Sequence, residues 1–224
     1  MHQWNVSQNK KQASEAAADY IFAKAVSLLK EKDRCNIALP GGESPAHCLK
    51  YLAGKKLNWD KIHWYLGDER CYPPGHENRN DVMIEKNLWS LINAPSENKH
   101  VIKSELGAEA AADIYSREII NSGGIDIILL GMGEDGHTAS LFPGNEALLE
   151  SKPVVPVHDS PKEPLDRVSL SKKTISEIQN KCVLVFGKEK ARTISATKKG
   201  ENFPINNLGD LSWFIDIQSL EKQD

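Results

Sequence analysis

Four short apolar runs in this chain each end in glycine or proline followed by charged residues, and helical patterns separate the runs. Each run has only four to six residues, too few for a globular helix, and this favours buried strands. Strands that alternate with helices predict an α/β fold with a doubly wound, mostly parallel sheet flanked by helices. The runs and the segments that follow them are 36–39 and 40–45, 62–66 and 67–70, 125–130 and 131–137, and 182–186 and 187–190.

The remaining periodic segments predict the helices and two further extended pieces. Ala13, Ala17 and Ile21 keep helical spacing in a first amphipathic helix. Further helices are predicted for residues 45–52, 81–91, 108–120 and about 189–196, and extended pieces for 154–157 and 167–170. Pro156 favours a sheet edge for residues 154–157, and the polar, proline-rich segment 156–166 is typical of a surface loop.

The four segments rich in glycine and charge are expected to converge. The carboxyl ends of parallel strands lie along one edge of a sheet, which is where α/β proteins bind ligands. Residues far apart in sequence, such as Asp68, His137 and Lys190, therefore belong to one predicted cleft.

Length and charge limit the class of protein. At 224 residues we expect a single domain over residues 1–224. A net charge of −3 and a pI near 6.2 argue against a nucleic-acid partner, so any phosphate site must be local. The amino terminus lacks the pattern of a signal peptide, and no apolar run approaches a membrane span. The four cysteines show no CxxC spacing, so we expect a cytoplasmic protein with free thiols and no membrane partner.

Two glycine motifs admit more than one interpretation. Gly41 and Gly42 precede a predicted helix and could hold an anion with backbone amides, although a tight turn accounts for them equally well. Residues 131–136 match GxGxxG after a strand, but Pro143 ends the following helix too early for a dinucleotide fold. We therefore reject a nucleotide cofactor.

The charged residues also have simpler explanations when each is taken alone. Residues 68–70 could form a surface ion-pair cluster, and His137 could be a structural histidine. Arg167 and Lys190 could be solvated surface charges. A metal site with His137 as a ligand has no support from further histidine or cysteine spacing. Only their shared position after strands favours a functional role.

Three segments carry a combined signature: Pro-Gly-Gly-Glu-Ser-Pro at 40–45, Gly-Asp-Glu-Arg at 67–70 followed by Pro73 and Asn80, and Gly-Met-Gly-Glu-Asp-Gly-His-Thr-Ala-Ser-Leu-Phe-Pro at 131–143. Together they resemble the corresponding segments of the 6-phosphogluconolactonases, a family that shares its fold with glucosamine-6-phosphate deaminases. Residues 167–170, 187–190 and 213–216 fit the same pattern, from about residue 14 to residue 217. The resemblance implies a Rossmann-like fold of the deaminase type. It also implies hydrolysis of 6-phospho-D-glucono-1,5-lactone to 6-phospho-D-gluconate in the oxidative pentose phosphate pathway.

Two positions separate the lactonases from the deaminases. The deaminases carry a glutamate for ring opening where this chain has Phe142, which cannot shuttle a proton, and a tyrosine where it has Arg70. Both differences favour a lactonase over the alternative, a deaminase or isomerase of an amino-sugar phosphate. A sugar-phosphate sensor, the second alternative, requires a DNA-binding module, for which this net-acidic chain has no room.

The resemblance and the chemistry of lactones together imply roles for the site residues. We expect His137 to be the general base that takes a proton from water, with Asp68, or else Asp135, fixing its tautomer or holding the water. Arg70 is expected to stabilise the oxyanion or to hold sugar hydroxyls. The predicted substrate- and phosphate-binding residues are Gly41, Gly42, Ser44, Asn80, Arg167 and Lys190, with Arg167 gripping the phosphate through a two-pronged fork.

The first segment departs from the family's usual Ser-Gly-Gly-Ser-Thr-Pro. Pro40 and Glu43 replace the two serines, so Glu43 must turn away from a bound phosphate. Arg79 replaces the usual serine before Asn80 and is expected to add a phosphate contact. We expect no metal and no cofactor, and a monomer or weak homodimer that takes a small sugar-phosphate lactone.

Overall fold

The computed structural model describes residues 2–220. Its strands are, in chain order, β1 (Gln3–Ser7), β2 (Cys35–Leu39), β3 (Ile62–Leu66), β4 (Asp68–Arg70), β5 (Lys99–His100), β6 (Ile127–Leu130), β7 (Val154–Val157), β8 (Arg167–Leu170), β9 (Asn180–Val185) and β10 (Ser212–Asp216). Its α-helices are α1 (Lys10–Leu28), α2 (Glu43–Ala53), α3 (Asn80–Ile84), α4 (Ser90–Ile92), α5 (Ala108–Asn121), α6 (Lys172–Glu177) and α7 (Ala191–Lys198). A π-helical turn, Glu85–Trp89, joins α3 to α4 and interrupts the predicted helix 81–91.

Within these residues, seven strands form one parallel sheet in the order β1-β10-β9-β6-β2-β3-β5. This confirms the predicted mostly parallel sheet flanked by helices. The four strands predicted to lead into the site, β9, β6, β2 and β3, are neighbours at its centre. The chain runs from β2 outward to β3 and β5 and then returns to β6 on the other side of β2. The strand order thus reverses between β2 and β6, the position at which open α/β sheets bind ligands.

Local sequence explains why the core elements form. Every residue of β2 and of β6 is buried, as their short apolar runs predict. Helix α1 begins after Asn9, whose side chain accepts a hydrogen bond from the backbone N–H of Gln12. It buries Ala13, Ala17 and Ile21 and packs against β9, β10 and α2. The helical spacing of these residues therefore marks the core-facing side of α1.

Three short strands form a second sheet, which is antiparallel and has the order β4-β8-β7. Strand β7, with Pro156, lies at its edge as predicted. Gly67 joins the two sheets, because its N–H donates to the carbonyl oxygen of Leu39 at 2.9 Å and its own carbonyl oxygen accepts from the N–H of Leu170 at 2.8 Å. The sequence did not predict this sheet, which places residues 68–70 beside the carboxyl end of β3.

The outer strands β1 and β10 were also not predicted as strands. They pair in parallel over their full length, although about two hundred residues separate them in the sequence. Trp4 of β1 stacks on Trp213 of β10 with ring centroids 4.6 Å apart. No helix within residues 2–220 is both long enough and apolar enough to cross a bilayer.

Candidate active site

A cavity of about 240 Å³ lies where the carboxyl ends of β2, β3, β6 and β9 meet. All four segments predicted from the sequence contribute to its lining. Of the predicted site residues, all except Asn80 and Asp135 line it, and these two bond to Asp68 and His137, which do. The lining comprises residues 40–45, Asp68, Arg70, 131–133, 137–139, Lys162, Arg167, 184–186 and Lys190.

The imidazole of His137 is oriented by Asp135. His137 Nδ1 donates to Asp135 Oδ1 at 2.5 Å, and the backbone N–H of His137 donates to the same oxygen at 3.2 Å. Because an ionised carboxylate only accepts hydrogen bonds, Nδ1 carries the ring proton and Nε2 keeps its lone pair. Within residues 2–220, Nε2 makes no hydrogen bond, so it is available to accept a proton in the cavity.

The surroundings keep His137 neutral. Burial lowers the pKa of the imidazole below 6.5, the carboxylate of Asp135 opposes this shift, and the charge of Lys162 lowers the pKa further. Burial acts to raise the pKa of Asp135, but the charge and hydrogen bonds of His137 outweigh it and hold that pKa below its usual value. At neutral pH the pair is therefore a neutral imidazole on a carboxylate, as a general base requires.

Gly133 makes room for this pair. A Cβ at position 133 would lie 2.1 Å from His137 Cε1 and Nδ1 and 2.6 Å from Asp135 Oδ1. The N–H of Gly133 donates to the carbonyl oxygen of His137 at 2.8 Å and closes the turn. The buried ring of Phe142 packs against the imidazole with centroids 4.5 Å apart. The glycine-rich sequence after β6 therefore positions the imidazole of His137.

Asp68 does not bond to His137 and is held in a different network. Its Oδ1 accepts from Asn80 Nδ2 at 3.1 Å, and its Oδ2 accepts from Ser140 Oγ at 2.7 Å. Asn80 Nδ2 also donates to the backbone oxygen of Asp68 at 2.7 Å. The sequence-based preference for Asp68 as the residue that orients His137 is therefore wrong, and Asp135 fills that role. The water-holding role of Asp68 stays a prediction.

Glu69 and Arg79 form a buried support for this network. Glu69 accepts the backbone N–H groups of Asn80 and Asp81 at 2.7 and 3.0 Å and so caps α3. Burial raises the pKa of Glu69 to about 7 in spite of these hydrogen bonds. Arg79 is 2% exposed and all three of its guanidinium nitrogens donate to protein groups, including the carboxylates of Asp81 and Glu105. The expectation that Arg79 contacts a phosphate is therefore wrong.

The loop of residues 40–42, between β2 and α2, packs closely against Asn80. A Cβ on Gly41 would lie 1.7 Å from Asn80 Oδ1, so only glycine fits there. Gly42 has a φ of 99° and is the capping residue at the start of α2, where backbone amides favour an anion. Glu43 is exposed at the cavity, so its carboxylate remains solvated beside the loop.

Two arginines lie opposite each other on β4 and β8. Arg70 and Arg167 are register partners in this antiparallel pair. Arg167 donates from Nη2 to the carbonyl oxygens of residues 162 and 163 at 2.9 and 3.0 Å, and from Nε to that of residue 164 at 3.2 Å. Its Nη1 alone makes no hydrogen bond within residues 2–220, so the predicted two-pronged fork is not available while these bonds hold. Arg70 Nη1 donates to the carbonyl oxygen of Asn78 at 2.6 Å, and Arg70 Nε is buried with no partner in the described chain.

Two lysines complete the charge of the cavity. Lys190 was predicted, and its Nζ lies 3.8 Å from Glu134 Oε1. Lys162 was not predicted, because it lies in the segment whose composition is typical of a surface loop. Together with the two arginines they outnumber the lining carboxylates, Asp68 and Glu43, and this suits a phosphorylated substrate.

Comparison with known proteins assigns the family. The model of the family "Glucosamine-6-phosphate isomerases/6-phosphogluconolactonase" matches residues 8–211. The chain belongs to this family. The 6-phosphogluconolactonase of Nostoc sp. is 31% identical over 214 residues, which are 88% of each chain. That of Thermotoga maritima is 33% identical over 202 residues, which are 87% of this chain and 90% of the relative.

Solved structures agree with this assignment. The crystal structure of the Thermotoga maritima 6-phosphogluconolactonase superposes with a TM-score of 0.90 at 29% identity, covering 96% of this chain and all of the other. The resemblance to 6-phosphogluconolactonases that the motifs indicated, and the assignment as an enzyme, are therefore confirmed.

Proposed function

We propose that this enzyme hydrolyses 6-phospho-D-glucono-1,5-lactone to 6-phospho-D-gluconate in the oxidative pentose phosphate pathway. The observation that carries the proposal is the neutral imidazole of His137, held through Nδ1 by Asp135 and facing a cavity with excess positive charge. Relatives that bear the name 6-phosphogluconolactonase align with most of the chain and so support the same reaction.

The lactone end of the reaction takes place at His137. Nε2 accepts a proton from water while the water oxygen forms a bond to the carbonyl carbon C1, whose oxygen takes up the displaced electron pair. The electron pair then returns and the C1–O5 bond breaks. His137 gives its proton to the ring oxygen, which becomes the C5 hydroxyl, and the new carboxylic acid ionises. Asp135 stabilises the imidazolium that exists between the two proton transfers.

The phosphate end of the substrate is held by groups on three segments. We assign the phosphate to Lys190, to the free Nη1 of Arg167, and to the loop of Gly41, Gly42 and Ser44 at the start of α2. Arg70 holds sugar hydroxyls or the oxyanion. Asn80 was predicted to bind substrate, and it acts instead by fixing Asp68, since it does not line the cavity.

Phe142 argues against the deaminase alternative. Its ring is 2% exposed and contacts the imidazole of His137, and the guanidinium carbon of Arg167 lies 5.6 Å from its centroid. A buried phenyl ring at this position supplies no proton for ring opening of an amino sugar. Phe142 therefore favours the lactonase over the deaminase.

One assay series separates the candidate functions. The lactone is generated in situ, and formation of 6-phosphogluconate is followed with the spontaneous hydrolysis subtracted. We expect enzyme-dependent acceleration, a much higher KM for the unphosphorylated lactone because it lacks the group that the cations bind, and no ammonia from glucosamine 6-phosphate. Ammonia release would identify a deaminase, and binding of 6-phosphogluconate without any turnover would identify a sensor.

Four further proposals accompany this function. We propose that the enzyme works in the cytoplasm, that it is a monomer or a weak homodimer, that residues 1–224 act as a single domain, and that neither metal nor cofactor takes part. Its ligand is a small sugar-phosphate lactone, with no nucleic acid and no membrane as partner. Size-exclusion chromatography with light scattering and activity after exhaustive chelation test the second and fourth of these.

A further inference from the structure

Lys162 is a cation of the cavity for which residues 2–220 provide no ion-pair partner. It lies in the loop that joins β7 to β8, its side chain is exposed, and it lines the same cavity as His137. Within residues 2–220 its ammonium forms neither an ion pair nor a hydrogen bond. By contrast, Lys190 lies beside Glu134, and both arginines donate to carbonyl oxygens. Lys162 is thus the lysine left free to meet a ligand.

The backbone of Lys162 is fixed although its side chain is free. Its carbonyl oxygen accepts from Ser160 Oγ at 2.9 Å and from Arg167 Nη2 at 2.9 Å. Its N–H donates to Ser160 Oγ at 3.3 Å, and Ser160 is buried. The structure therefore holds the base of this side chain at the cavity, as a binding or catalytic group requires.

The position of Lys162 relative to His137 indicates which end of the substrate it serves. The charge of Lys162 lowers the pKa of His137, which agrees with a position near the imidazole. Arg167 binds the carbonyl oxygen of Lys162, and its guanidinium carbon lies 5.6 Å from the ring centroid of Phe142. That ring packs on the imidazole of His137 with centroids 4.5 Å apart. These contacts place the base of the Lys162 side chain beside His137, at the lactone end of the cavity. Lys190, on the segment after β9, is assigned to the other end.

We propose that Lys162 is a catalytic residue whose ammonium stabilises the negative charge that develops on the lactone carbonyl oxygen when water attacks C1. This inference rests on the proposed function. The charges then balance at both sides of the reacting carbon, since Asp135 faces the imidazolium and Lys162 faces the oxyanion. Arg70, with Nη1 committed to Asn78, is left to hold sugar hydroxyls. No bond to Lys162 is formed or broken.

The test compares Lys162→Met with Lys162→Arg and with Lys173→Met. Lys173 is an exposed lysine of α6 that does not line the cavity. For Lys162→Met we expect kcat to fall about tenfold to a hundredfold, at or below the lower end for a lost oxyanion donor, because water partly replaces an exposed ammonium. The loss should be similar on the phosphorylated and the unphosphorylated lactone. Lys162→Arg should keep most of kcat, and Lys173→Met should match the parent enzyme.

A second readout is one that a structural role of Lys162 would not change. Removal of the cation should raise the pKa of His137, so the acid limb of the kcat/KM profile should move to higher pH in Lys162→Met and stay in place in Lys162→Arg. Unchanged kcat, a loss confined to the phosphorylated lactone, or an unmoved acid limb would each overturn the inference. A parent enzyme that fails to accelerate lactone hydrolysis would instead overturn the proposed function itself.

Discussion

Two histidines of this protein contact an aspartate through Nδ1, but they differ in exposure, in the direction of their pKa shift and in the surroundings of the second ring nitrogen. His137 Nδ1 lies 2.5 Å from Asp135, and His158 Nδ1 lies 2.7 Å from Asp166. The His137 side chain is 15% exposed and that of His158 is 46% exposed. Burial lowers the pKa of His137, whereas the hydrogen bond with Asp166 and the charges of two carboxylates raise the pKa of His158.

The second ring nitrogen explains the difference in chemistry. His158 Nε2 lies 2.8 Å from Glu109 Oε1, so both of its nitrogens face carboxylate acceptors, and this favours the protonated ring. His137 Nε2 keeps a free lone pair at the cavity. A histidine–carboxylate pair therefore indicates a base only when the ring is buried and its second nitrogen is open.

Replacing the two histidines is the strongest test of this comparison. His137→Ala should lower kcat by about 10²–10⁴, the usual loss for a general base, because the variant lacks the nitrogen that accepts the proton of the attacking water. His158→Ala should leave kcat within about twofold, since His158 does not line the cavity and both of its ring nitrogens face carboxylates. Steady-state assays and circular dichroism of both variants measure this. Equal losses in the two would remove the distinction.

Gly133→Ala tests how little space residue 133 leaves for the His137–Asp135 pair. The added Cβ would collide with His137 and Asp135 and displace the imidazole, and a misplacement of about 1 Å costs roughly a hundredfold in kcat. Gly54→Ala is the matched control, because its Cβ would meet only an ordinary contact at 3.4 Å at the end of α2. We expect Gly133→Ala to keep its helical content and lose turnover. Full activity would show that the turn around residue 133 can shift without displacing the imidazole.

The two aspartates give a smaller contrast. Asp135→Asn should lower kcat by about tenfold, because an amide orients the ring but does not stabilise the imidazolium. The acid limb of kcat/KM should move to lower pH, since Asp135 raises the pKa of His137. Asp166→Asn should change neither. An acid limb that moves to higher pH in Asp135→Asn would contradict the assignment of the pair.

The smallest expected effect is on the free energy of unfolding, through the exposed pair His158–Asp166. The pKa of His158 is raised on folding, so its contribution is fully present below about pH 6.5 and is lost as the pH rises through the folded value. His158→Gln should therefore reduce the unfolding free energy by at most about 1 kcal/mol at pH 5.5 and by less at pH 9. Urea unfolding at the two pH values measures this, and a larger loss at pH 9 would contradict the sign.

The sequence predicted those parts of the fold and site that local patterns specify. Strands β2, β3, β6 and β9 are short apolar runs with a glycine near the end of each. Their presence in one mostly parallel sheet and their shared cavity therefore followed from periodicity and from the geometry of parallel sheets, whereas their order in the sheet did not. The motif after β6 placed His137 correctly because a strand end fixes where the next residues lie.

The missed parts depend on partners far along the chain. Strand β1 is half polar and is a strand only because β10 pairs with it, and β4 depends on β8 about a hundred residues later. Lys162 reaches the cavity because Arg167 binds the carbonyls of its loop, which no local pattern indicates. The choice between Asp68 and Asp135 depended on the space that Gly133 leaves, and this is a property of packing.

The register of β4 and β8 carries a thermodynamic consequence. It sets two guanidinium groups directly opposite each other, an arrangement of like charges that costs free energy on neighbouring strands. Burial lowers the pKa of Arg167, the carboxylate of Asp68 opposes this shift, and the facing Arg70 adds to it. A phosphate bound at Arg167 would offset this repulsion, so ligand occupancy and folding should be linked. Phosphate-bearing ligands should raise the melting temperature in step with the logarithm of their concentration, and more steeply than uncharged sugars do.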